Sequence, residues 1–301
     1  MKILLFGGNG QVGMELRRSL APLGELVAAT RTGRLDDGSV CETADFDDPG
    51  ALPGLIARIA PDVIVNAAAY TAVDRAEDDA EAAYRANALA PRAIAEACAE
   101  HDALLVHYST DYVFDGRAAE PYREDAATSP LGVYGASKLA GERAVIESGA
   151  RHFIFRTAWV YAAHGKNFLL TMLRLAKERD ELRVVGDQIG TPTSAWLIAY
   201  ATAAALHSQR DSGVWNLTAS GQTSWHGFAE AIMREGLARG LLAHAPKVTP
   251  IATADYPTRA ARPAYSVLDN AAFQRDFGIE LPNWYEGLVQ VLDEMADRGA
   301  A

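Results

Sequence analysis

Residues 2–13 read KILLFGGNGQVG, an apolar run that leads directly into a glycine-rich segment. The run KILLFGG (2–8) predicts a strand, and residues 11–20 predict a helix. Between them the sequence fits Gly-x-Gly-x-x-Gly when read from Gly8 and Gly-x-x-Gly-x-x-Gly when read from Gly7. Glycines allow a tight turn and let the backbone approach a pyrophosphate, which the N–H groups of the following helix can bind. The segment therefore predicts a dinucleotide-binding loop rather than a plain structural turn.

The rest of the first half alternates apolar runs with helical patterns. Strands are predicted at 25–30, 62–68, 103–110 and 152–161, and helices at 49–59, 77–100 and 134–147. The helix 77–100 is expected to kink or restart near Pro91, because proline lacks the N–H that continues a helix. This β-α-β-α order predicts an α/β fold with a doubly wound parallel sheet, the Rossmann arrangement, whose strands end at one ligand-binding edge.

The pattern loosens after about residue 162, where short strands and helices mix. Strands are predicted at 182–185 and 214–219, and helices at 167–178, 194–207 and 224–239. We expect a dinucleotide-binding Rossmann domain over residues 1–155. Residues 156–301 are expected to form mainly a smaller, interleaved α/β substrate lobe, with some segments returning to the first domain. The residues interpreted as packing residues of that lobe are Trp196, Trp215, Trp225 and Trp284.

Composition narrows the class of protein. The 301 residues carry a formal net charge of -11, and the sequence has no basic cluster of the kind that nucleic-acid binding requires. Two cysteines without a Cys-x-x-Cys pair are typical of reduced thiols. The longest nearly apolar run, 195–206, falls well short of the roughly 20 residues that span a bilayer. These observations predict a soluble, cytoplasmic protein that binds neither nucleic acid nor membrane.

The end of the second predicted strand bears on the choice of dinucleotide. An acidic residue there would accept the ribose 2′-OH of NAD, but this strand ends in ATR (29–31). Arg31 and Arg34 could meet the 2′-phosphate of NADP, or both could be solvated surface arginines. We therefore expect NADPH, with NADH as the open alternative. Asp45 and Phe46, near the end of a further predicted strand, are expected to lie against the adenine.

Three further side chains suggest a catalytic site. Tyr134 and Lys138 are one helical turn apart and share a helix face. A phenol, whose ordinary pKa is about 10, has a lower pKa beside an ammonium group and can then exchange a proton with a carbonyl or alcohol. Residues 109–111, Ser-Thr-Asp, end a strand at the ligand-binding edge, where the Thr110 hydroxyl can bond a substrate oxygen. Each feature alone has a structural explanation, but together with the glycine loop they predict an oxidoreductase.

Seven stretches resemble, in the same order, the extended short-chain dehydrogenase/reductases and, within them, the dTDP-4-dehydrorhamnose reductase family. They are FGGNGQVG (6–13), VNAAAYTAVDRAE (65–77), HYSTDYVFDG (107–116), VYGASKLAGE (133–142), FRTAWVYA (155–162), GDQIGTPT (186–193) and RPAYSVL (262–268). The resemblance implies NAD(P)H-dependent reduction of the C4 keto group of dTDP-4-dehydro-L-rhamnose to dTDP-L-rhamnose, the last step of dTDP-rhamnose biosynthesis.

The resemblance also implies roles for single residues. Thr110, Tyr134 and Lys138 would form the catalytic triad. With the residues discussed above, the expected cofactor contacts are Gly7, Gly10, Gln11, Val12, Gly13, Thr30, Arg31, Asp45, Phe46, Ala69, Tyr70, Thr71, Tyr108, Tyr134 and Lys138. The expected substrate contacts are Thr110, Asp111, Trp159 and Arg262. Trp159 would pack against the deoxysugar, with a core tryptophan as the alternative, and Arg262 would bind the diphosphate. Thr30 replaces an acid found in some relatives, which leaves the cofactor preference open.

Two other functions remain open from the sequence. A nucleotide-sugar epimerase or dehydratase would keep NAD tightly bound, although Asp111 is followed by Tyr112 and not by the acid that dehydratases tend to have. A non-catalytic regulatory binding subunit would have no chemical need for the triad. Some members of the family bind Mg²⁺ at a dimer contact, but Glu15 alone does not support such a site, and no metal site is predicted. The partners implied are a dTDP-sugar and, as an alternative to a monomer, a second copy in a homodimer.

Overall fold

The computed structural model describes residues 1–299, so the last two residues of the predicted substrate lobe, 300 and 301, lie outside it. The strands are β1 Lys2–Phe6, β2 Glu25–Thr30, β3 Glu42–Thr43, β4 Val63–Asn66, β5 Leu104–Thr110, β6 His152–Thr157, β7 Val160–Tyr161, β8 Glu181–Val185, β9 Ile189–Gly190, β10 Thr193–Ser194, β11 Gly213–Asn216, β12 Thr223–Ser224 and β13 Lys247–Ile251. The α-helices are α1 Gln11–Leu20, α2 Leu52–Ile59, α3 Val73–Ala76, α4 Ala80–Tyr84, α5 Ala90–His101, α6 Val133–Glu147, α7 Phe168–Ala176, α8 Ala195–Ala205, α9 Trp225–Ala238, α10 Ala271–Phe277 and α11 Trp284–Gly299.

Within the described residues, seven strands form one sheet in the order β11-β6-β5-β4-β1-β2-β3. Every pairing in this sheet is parallel. The chain winds outward from β1 in one direction to β3 and then in the other direction through β4, β5 and β6. The order therefore reverses between β1 and β4, and ligands bind at the carboxyl ends of strands beside such a switch point. The predicted doubly wound parallel sheet is confirmed.

The sheet is buried because its apolar strands meet helices on both faces. In β1, Ile3 and Leu5 belong to the core cluster that includes α1 and α8, whereas Leu4 and Phe6 alternate into the cluster that includes α2 and α5. All four side chains are fully buried, and each contributes roughly 1.5–3 kcal/mol of hydrophobic stabilisation. Burial on both faces explains why these strands read as continuous apolar runs in the sequence.

Segments from the second half of the chain add a strand to the large sheet and a helix to one of its faces. Strand β11 pairs with β6 at the edge of the sheet, and α8 packs on α1. The interpretation of Trp215 as a packing residue of the second lobe is therefore wrong. Its ring lies 5.5 Å from that of Phe153 in an edge-to-face contact within the main sheet core. Trp196 on α8 also packs against this core. The domain division after residue 155 remains a prediction.

A second core lies among α7, α9, α11 and β8. Strand β8 pairs in parallel with β13, and short ladders join β7 to β10 and β9 to β12. The backbone of this region reaches the loop after β5 at the carboxyl end of the large sheet, because the Tyr265 N–H donates to the Gly116 carbonyl over 3.1 Å. The segments 186–193 and 262–268 also meet, since the Ser266 N–H donates to the Ile189 carbonyl over 2.8 Å.

The predicted interruption of the helix 77–100 near Pro91 is confirmed. Helices α3 and α4 precede a π-helical turn at Arg85–Leu89, and α5 begins at Ala90. Pro91 explains the break, because its ring displaces the carbonyl of Asn87 and cannot donate to it, so the turn widens. None of the helices in residues 1–299 combines the length and the apolar character that crossing a membrane demands.

Candidate active site

The glycine-rich loop is pressed between the ends of three strands. Gly7 has a left-handed backbone (φ +81°), and a Cβ on it would lie 2.7 Å from the Ala67 carbonyl carbon that follows β4. A Cβ on Gly13 would lie 2.0 Å from the carbonyl oxygen of Gly7. Gly10 caps α1 with no side-chain hydrogen bond, which leaves the first N–H groups of this helix to other acceptors. The residues therefore fit an anion held by backbone N–H groups at the switch point.

Gln11 and Val12 contribute to this loop through their backbone. The Gln11 side-chain oxygen accepts a hydrogen bond of 2.8 Å from Asn167, which caps α7. The Val12 side chain packs against the main sheet core. At Val12 a pyrophosphate contact would consequently be made by the backbone N–H group, whereas Gln11 could also offer its side-chain amide nitrogen.

The adenosine end of the predicted groove contains a closed turn. The Thr30 hydroxyl donates to the Arg34 carbonyl over 3.0 Å and accepts from the Arg34 N–H over 3.2 Å. Arg31 pairs with Asp45 at 3.2 Å and also contacts Asp47. The ring of Phe46 lies edge-to-face on Phe6. Thr30 thus shapes the loop. Arg31 and Arg34 are both exposed at this end, and Arg31 lies beside Asp45.

The loop 67–71 after β4 is fixed by Asn87, a residue that the sequence did not single out. The Asn87 side chain accepts from the Tyr70 N–H over 2.8 Å and donates to the Tyr70 carbonyl over 3.0 Å. It also donates to Ser137 on α6 over 3.0 Å. Ala69 and Thr71 on this loop are exposed, whereas the Tyr70 hydroxyl is buried without a partner among residues 1–299. The fully buried Asn87 therefore joins the predicted cofactor loop to the catalytic helix.

The predicted triad assembles where β5 meets α6. The Lys138 ammonium, which is 3% exposed, donates to the Tyr108 carbonyl over 2.6 Å. The buried Thr110 hydroxyl donates to Asp111 over 3.0 Å. The Tyr134 ring lies edge-to-face on Tyr112 at 5.4 Å, and the Thr110 hydroxyl lies close enough to partly offset the rise that burial causes in the pKa of Tyr134. The strand end and the helix start thereby bring Thr110, Tyr134 and Lys138 to one edge.

Tyr108 lies differently from the prediction that it lines the cofactor groove. Its phenol points into the main core and shares a hydrogen bond of 2.8 Å with Thr202 on α8. Only its carbonyl faces the site, as the acceptor for Lys138. The cause is the alternation of side chains along β5, which places the Tyr108 side chain on the face of the sheet that α8 covers.

The expected lowering of the Tyr134 pKa is not found in this structure. Burial raises the pKa of Tyr134 to about 12, an effect that the nearby Thr110 hydroxyl reduces and the Asp111 charge increases. Burial also lowers the pKa of Lys138 to about 8, and the Glu142 charge opposes this shift. Desolvation therefore outweighs the local charges. At neutral pH the phenol keeps its proton, as a proton donor must.

Asp111 is a second buried acid at the same edge. It is 2% exposed, and its Oδ2 atom has no hydrogen-bond partner among residues 1–299. Burial raises the pKa of Asp111 to about 6, although the neighbouring Ser266 and Thr110 hydroxyls lower it. Ser266 is buried as well, and no pattern singles it out beyond its place in the RPAYSVL stretch. The pair offers polar atoms that could bind a substrate hydroxyl.

Asp111→Asn is expected to stabilise the folded protein at pH 8 by about 1–3 kcal/mol. Because the folded pKa is raised from 3.8 to about 6, the folded state binds this proton more tightly than the unfolded chain. The stability that protonated Asp111 contributes is fully present below about pH 4, and it is lost as the pH rises through 6. Urea unfolding of both proteins at pH 4.5 and 8 checks this, and a gain of equal size at both pH values would contradict it.

Trp159 follows β6 in a left-handed backbone conformation, with φ +48°. Its indole stacks on Trp225 with ring centroids 3.5 Å apart and an angle of 5° between the planes. Gly190 also touches this indole, since a Cβ on Gly190 would lie 2.4 Å from Trp159 Cε2. The half-buried Trp159 is thus held by Trp225 and Gly190, and its assigned contact with the sugar remains a prediction.

Gly190→Ala is expected to raise KM for the nucleotide-sugar substrate at least about tenfold while NADPH affinity stays unchanged. The added Cβ would overlap the indole of Trp159, so the indole must move from its present position. Overpacking of this kind typically lowers the stability of the folded state by about 1–3 kcal/mol. Steady-state kinetics for the sugar and fluorescence titration with NADPH separate the two effects. An unchanged KM for the sugar in the folded variant would show that Trp159 does not contribute to substrate binding.

Arg262 is engaged in an ion pair. Its Nη2 atom lies 2.6 Å from Asp74 Oδ2, and its Nη1 atom donates to the Ala260 carbonyl over 2.9 Å. Arg259 pairs in the same way with Asp78. These contacts tie the segment 259–262 to α3 and to the turn that follows it. To bind a diphosphate, Arg262 would have to leave Asp74 or contact both groups at once. Its role in diphosphate binding stays a prediction.

A doubly wound sheet with a glycine loop at its switch point, and a Tyr-x-x-x-Lys pair beside a strand-end threonine, define an extended short-chain dehydrogenase/reductase. The family model described as the RmlD substrate binding domain matches residues 1–297, and the chain belongs to this family.

Similar proteins align with this chain over nearly its full length. The dTDP-4-dehydrorhamnose reductase of Burkholderia thailandensis is 50% identical over 296 residues, which cover 94% of this chain and 95% of that protein. The crystal structure of a dTDP-4-dehydrorhamnose reductase from Clostridium acetobutylicum is 37% identical, with a TM-score of 0.89 and coverage of 98% and 99%. That of Bacillus anthracis, solved in complex with NADP, is 34% identical, with a TM-score of 0.88 and coverage of 97% and 99%.

Proposed function

We propose that this chain is an NADPH-dependent oxidoreductase that reduces the C4 keto group of dTDP-4-dehydro-L-rhamnose to give dTDP-L-rhamnose. The observation that carries the proposal is the buried Tyr134 phenol, protonated at neutral pH and grouped with Thr110 and Lys138 at the sheet edge. Relatives named dTDP-4-dehydrorhamnose reductase, aligned over 94% or more of the chain, supply the substrate.

The residues present fit a dinucleotide, because side chains at Gly7 and Gly13 would fill the cradle between the ends of β1 and β4. Bound NADPH would supply a hydride to the carbonyl carbon of the sugar. The backbone N–H groups of the glycine loop would hold the pyrophosphate, and Arg31 would lie towards the adenosine phosphate. The bound NADP of the Bacillus anthracis relative supports NADPH as the cofactor.

The protein's own part in the reaction is proton donation and charge stabilisation. Tyr134 donates its phenolic proton to the substrate oxygen as negative charge develops there. The Thr110 hydroxyl bonds the same oxygen and thereby lowers the cost of that charge. The Lys138 ammonium stabilises the phenolate that remains, held in place by the Tyr108 carbonyl. Asp111 and Trp159 orient the sugar so that one face meets the cofactor.

The direct test follows oxidation of NADPH and NADH in parallel with purified protein and dTDP-4-dehydrorhamnose. We expect consumption of one reduced cofactor per sugar, with NADPH preferred because residue 30 is not acidic and Arg31 lies beside it. A protein that carries stoichiometric NAD and consumes none would instead be an epimerase or dehydratase. A protein that binds cofactor without turnover would be a regulatory subunit.

Three further features stay predictions under this proposal. They are a cytoplasmic location, a homodimer, and the thymidine base of the substrate. The described residues contain no group of three or more His, Cys, Asp or Glu side chains that could hold a metal ion. Glu15 is paired instead with His164 over 2.7 Å and with Arg18.

A further inference from the structure

Trp159 has a backbone conformation that its place in the chain does not explain. Among residues 1–299, three residues other than glycine have a positive φ, and two of them, Ala60 and Asp102, directly follow α2 and α5. Left-handed residues are common at the end of a helix. Trp159, with φ +48°, instead lies between β6 and β7. A bulky residue keeps such a conformation only where its surroundings enforce it, so the contacts of its indole require an explanation.

Both faces of the Trp159 indole are covered. On one face it stacks on Trp225, with ring centroids 3.5 Å apart and an angle of 5° between the planes. A Cβ on Gly190 would lie 2.4 Å from Cε2, 2.6 Å from Cζ2 and 2.6 Å from Nε1 of the same indole, distances that place Gly190 over a ring face and not beside the ring edge. Because rings stacked at 3.5 Å leave no space between them, Gly190 covers the opposite face. Only the rim of the indole is left for a ligand.

Trp225 is a fixed platform for this stack. It is the first residue of α9, whose start is capped by the side chain of Ser224. The strand before it, β12, pairs antiparallel with β9, which contains Gly190. Phe168 also packs on Trp225, with ring centroids 4.7 Å apart. The elements that hold Trp225 are thus set independently of Trp159, and the Trp159 indole takes the position that Trp225 and Gly190 leave for it.

Trp159 also lies close to the proposed catalytic threonine. Strands β5 and β6 pair with Thr110 opposite Thr157, so Trp159 follows this pair by two residues. Consecutive Cα atoms are about 3.8 Å apart, which keeps the Trp159 Cα within about 8 Å of that of Thr157. The Trp159 carbonyl accepts from the Thr193 N–H over 3.3 Å, which joins it to the stretch 186–193. A side chain at this place is within reach of a substrate that Thr110 binds.

We propose that Trp225 is a positioning residue for the sugar, whose ring fixes the Trp159 indole so that the rim of that indole, and not its face, borders the sugar. The inference rests on the proposed function, because it takes the deoxysugar to lie beside Trp159. Trp225 acts through Trp159 and needs no contact of its own with substrate or cofactor. The left-handed backbone of Trp159 is the conformation that lets a residue at the end of β6 join the stack.

Trp225→Leu removes the aromatic partner and frees one face of Trp159. The indole can then leave its present position, so its rim no longer lies where it meets the sugar. We expect the affinity for dTDP-L-rhamnose to fall about tenfold, the upper end of what one aromatic pair contributes. The affinities for dTDP and for NADPH should stay unchanged, because neither ligand contains the deoxysugar. Trp225→Phe keeps an aromatic ring and should retain most of the wild-type affinity for dTDP-L-rhamnose.

Calorimetric titration of wild type and both variants with dTDP-L-rhamnose, dTDP and NADPH measures these affinities, and steady-state kinetics add KM and kcat for the keto sugar. KM should rise in Trp225→Leu about as much as the affinity falls, with kcat less affected. Trp196→Leu is the matched control, since Trp196 stacks on Tyr200 within α8, with ring centroids 5.3 Å apart and an angle of 7°. This control should bind dTDP-L-rhamnose as wild type does.

A measurement on the wild-type protein decides the question if Trp225→Leu does not fold. The indole N–H signals of the five tryptophans are resolved by ¹⁵N NMR, and Trp159→Phe and Trp225→Phe assign two of them. Circular dichroism reports the stack, because two indoles in contact give a coupled signal that Trp225→Phe removes. We expect dTDP-L-rhamnose, but not dTDP, to shift the Trp159 signal in the NMR spectrum while the coupled dichroism signal persists.

The binding results separate this inference from the proposed function. Weaker binding of dTDP-L-rhamnose in Trp225→Leu, restored in Trp225→Phe, supports the inference even if wild type reduces no keto sugar. Wild-type affinity for dTDP-L-rhamnose in a folded Trp225→Leu protein overturns it, whether or not wild type is a reductase. Loss of the coupled dichroism signal when the sugar binds also overturns it, because the sugar would then have replaced Trp225 on the indole face. A Trp159 signal that does not move has the same consequence.

Discussion

Tyr134→Phe is expected to lower kcat by about 10²–10⁴-fold, the range over which general acid catalysis contributes. The substitution removes only the hydroxyl that donates the proton and keeps the ring that packs edge-to-face on Tyr112. NADPH affinity and thermal stability should therefore stay close to wild type. Steady-state kinetics with the keto sugar, together with fluorescence titration of NADPH, measure both quantities.

Tyr112→Phe is the matched control for this experiment. Tyr112 neighbours Tyr134, and burial raises the pKa of its phenol as well, with the Asp111 charge adding to the effect. The variant removes a hydroxyl from the same aromatic pair without removing the proposed acid, so its kcat should fall only severalfold. Near-normal turnover of a folded Tyr134→Phe protein would rule out the phenol as the proton donor.

Gly13→Ala is expected to weaken NADPH binding at least about 100-fold. The added Cβ would lie 2.0 Å from the Gly7 carbonyl oxygen and 2.9 Å from its carbon, both backbone atoms that cannot rotate away. Helix α1 must then move from β1, which removes the close approach that a pyrophosphate needs. Fluorescence titration with NADPH and thermal unfolding should show lost affinity and a lower Tm.

Gly54→Ala on α2 provides the control for the glycine loop. No atom lies within 4 Å of a Cβ at that position, and its backbone is not left-handed. Alanine favours a helix over glycine by about 1 kcal/mol, so this variant should bind NADPH normally and unfold at an equal or higher temperature. Unchanged NADPH affinity in Gly13→Ala would mean that the loop does not hold the cofactor.

The central strands of the large sheet, β1, β4, β5 and β6, were predictable because they are largely apolar runs. Strand β2 begins and ends where the sequence predicts, at 25 and 30. The predicted strand 152–161 is instead two strands, since β6 ends at Thr157 and β7 resumes at Val160. Trp159 causes the break with its left-handed backbone. An apolar, strand-like composition gives no warning of such a conformation in a bulky residue.

The meeting of the triad was also predictable, because strand ends and helix starts of a parallel sheet share one edge. Contacts between residues distant in sequence were not predictable. Arg262 pairs with Asp74 across 188 positions, and Trp159 finds Trp225 as its stacking partner. Each partner is set by the tertiary packing of segments distant in sequence, which local patterns do not encode. The same holds for Asn87, whose clamp on Tyr70 depends on the turn before Pro91.

Transfer of a labelled hydride shows whether the cofactor reduces the sugar itself. The protein is incubated with dTDP-4-dehydrorhamnose and NADPH that carries deuterium at C4 of the nicotinamide, on either face in separate reactions. We expect that one of the two labels appears at C4 of the deoxysugar in the product, with one NADP⁺ formed per sugar. Product without deuterium from either cofactor, or sugar converted without oxidation of NADPH, would contradict it.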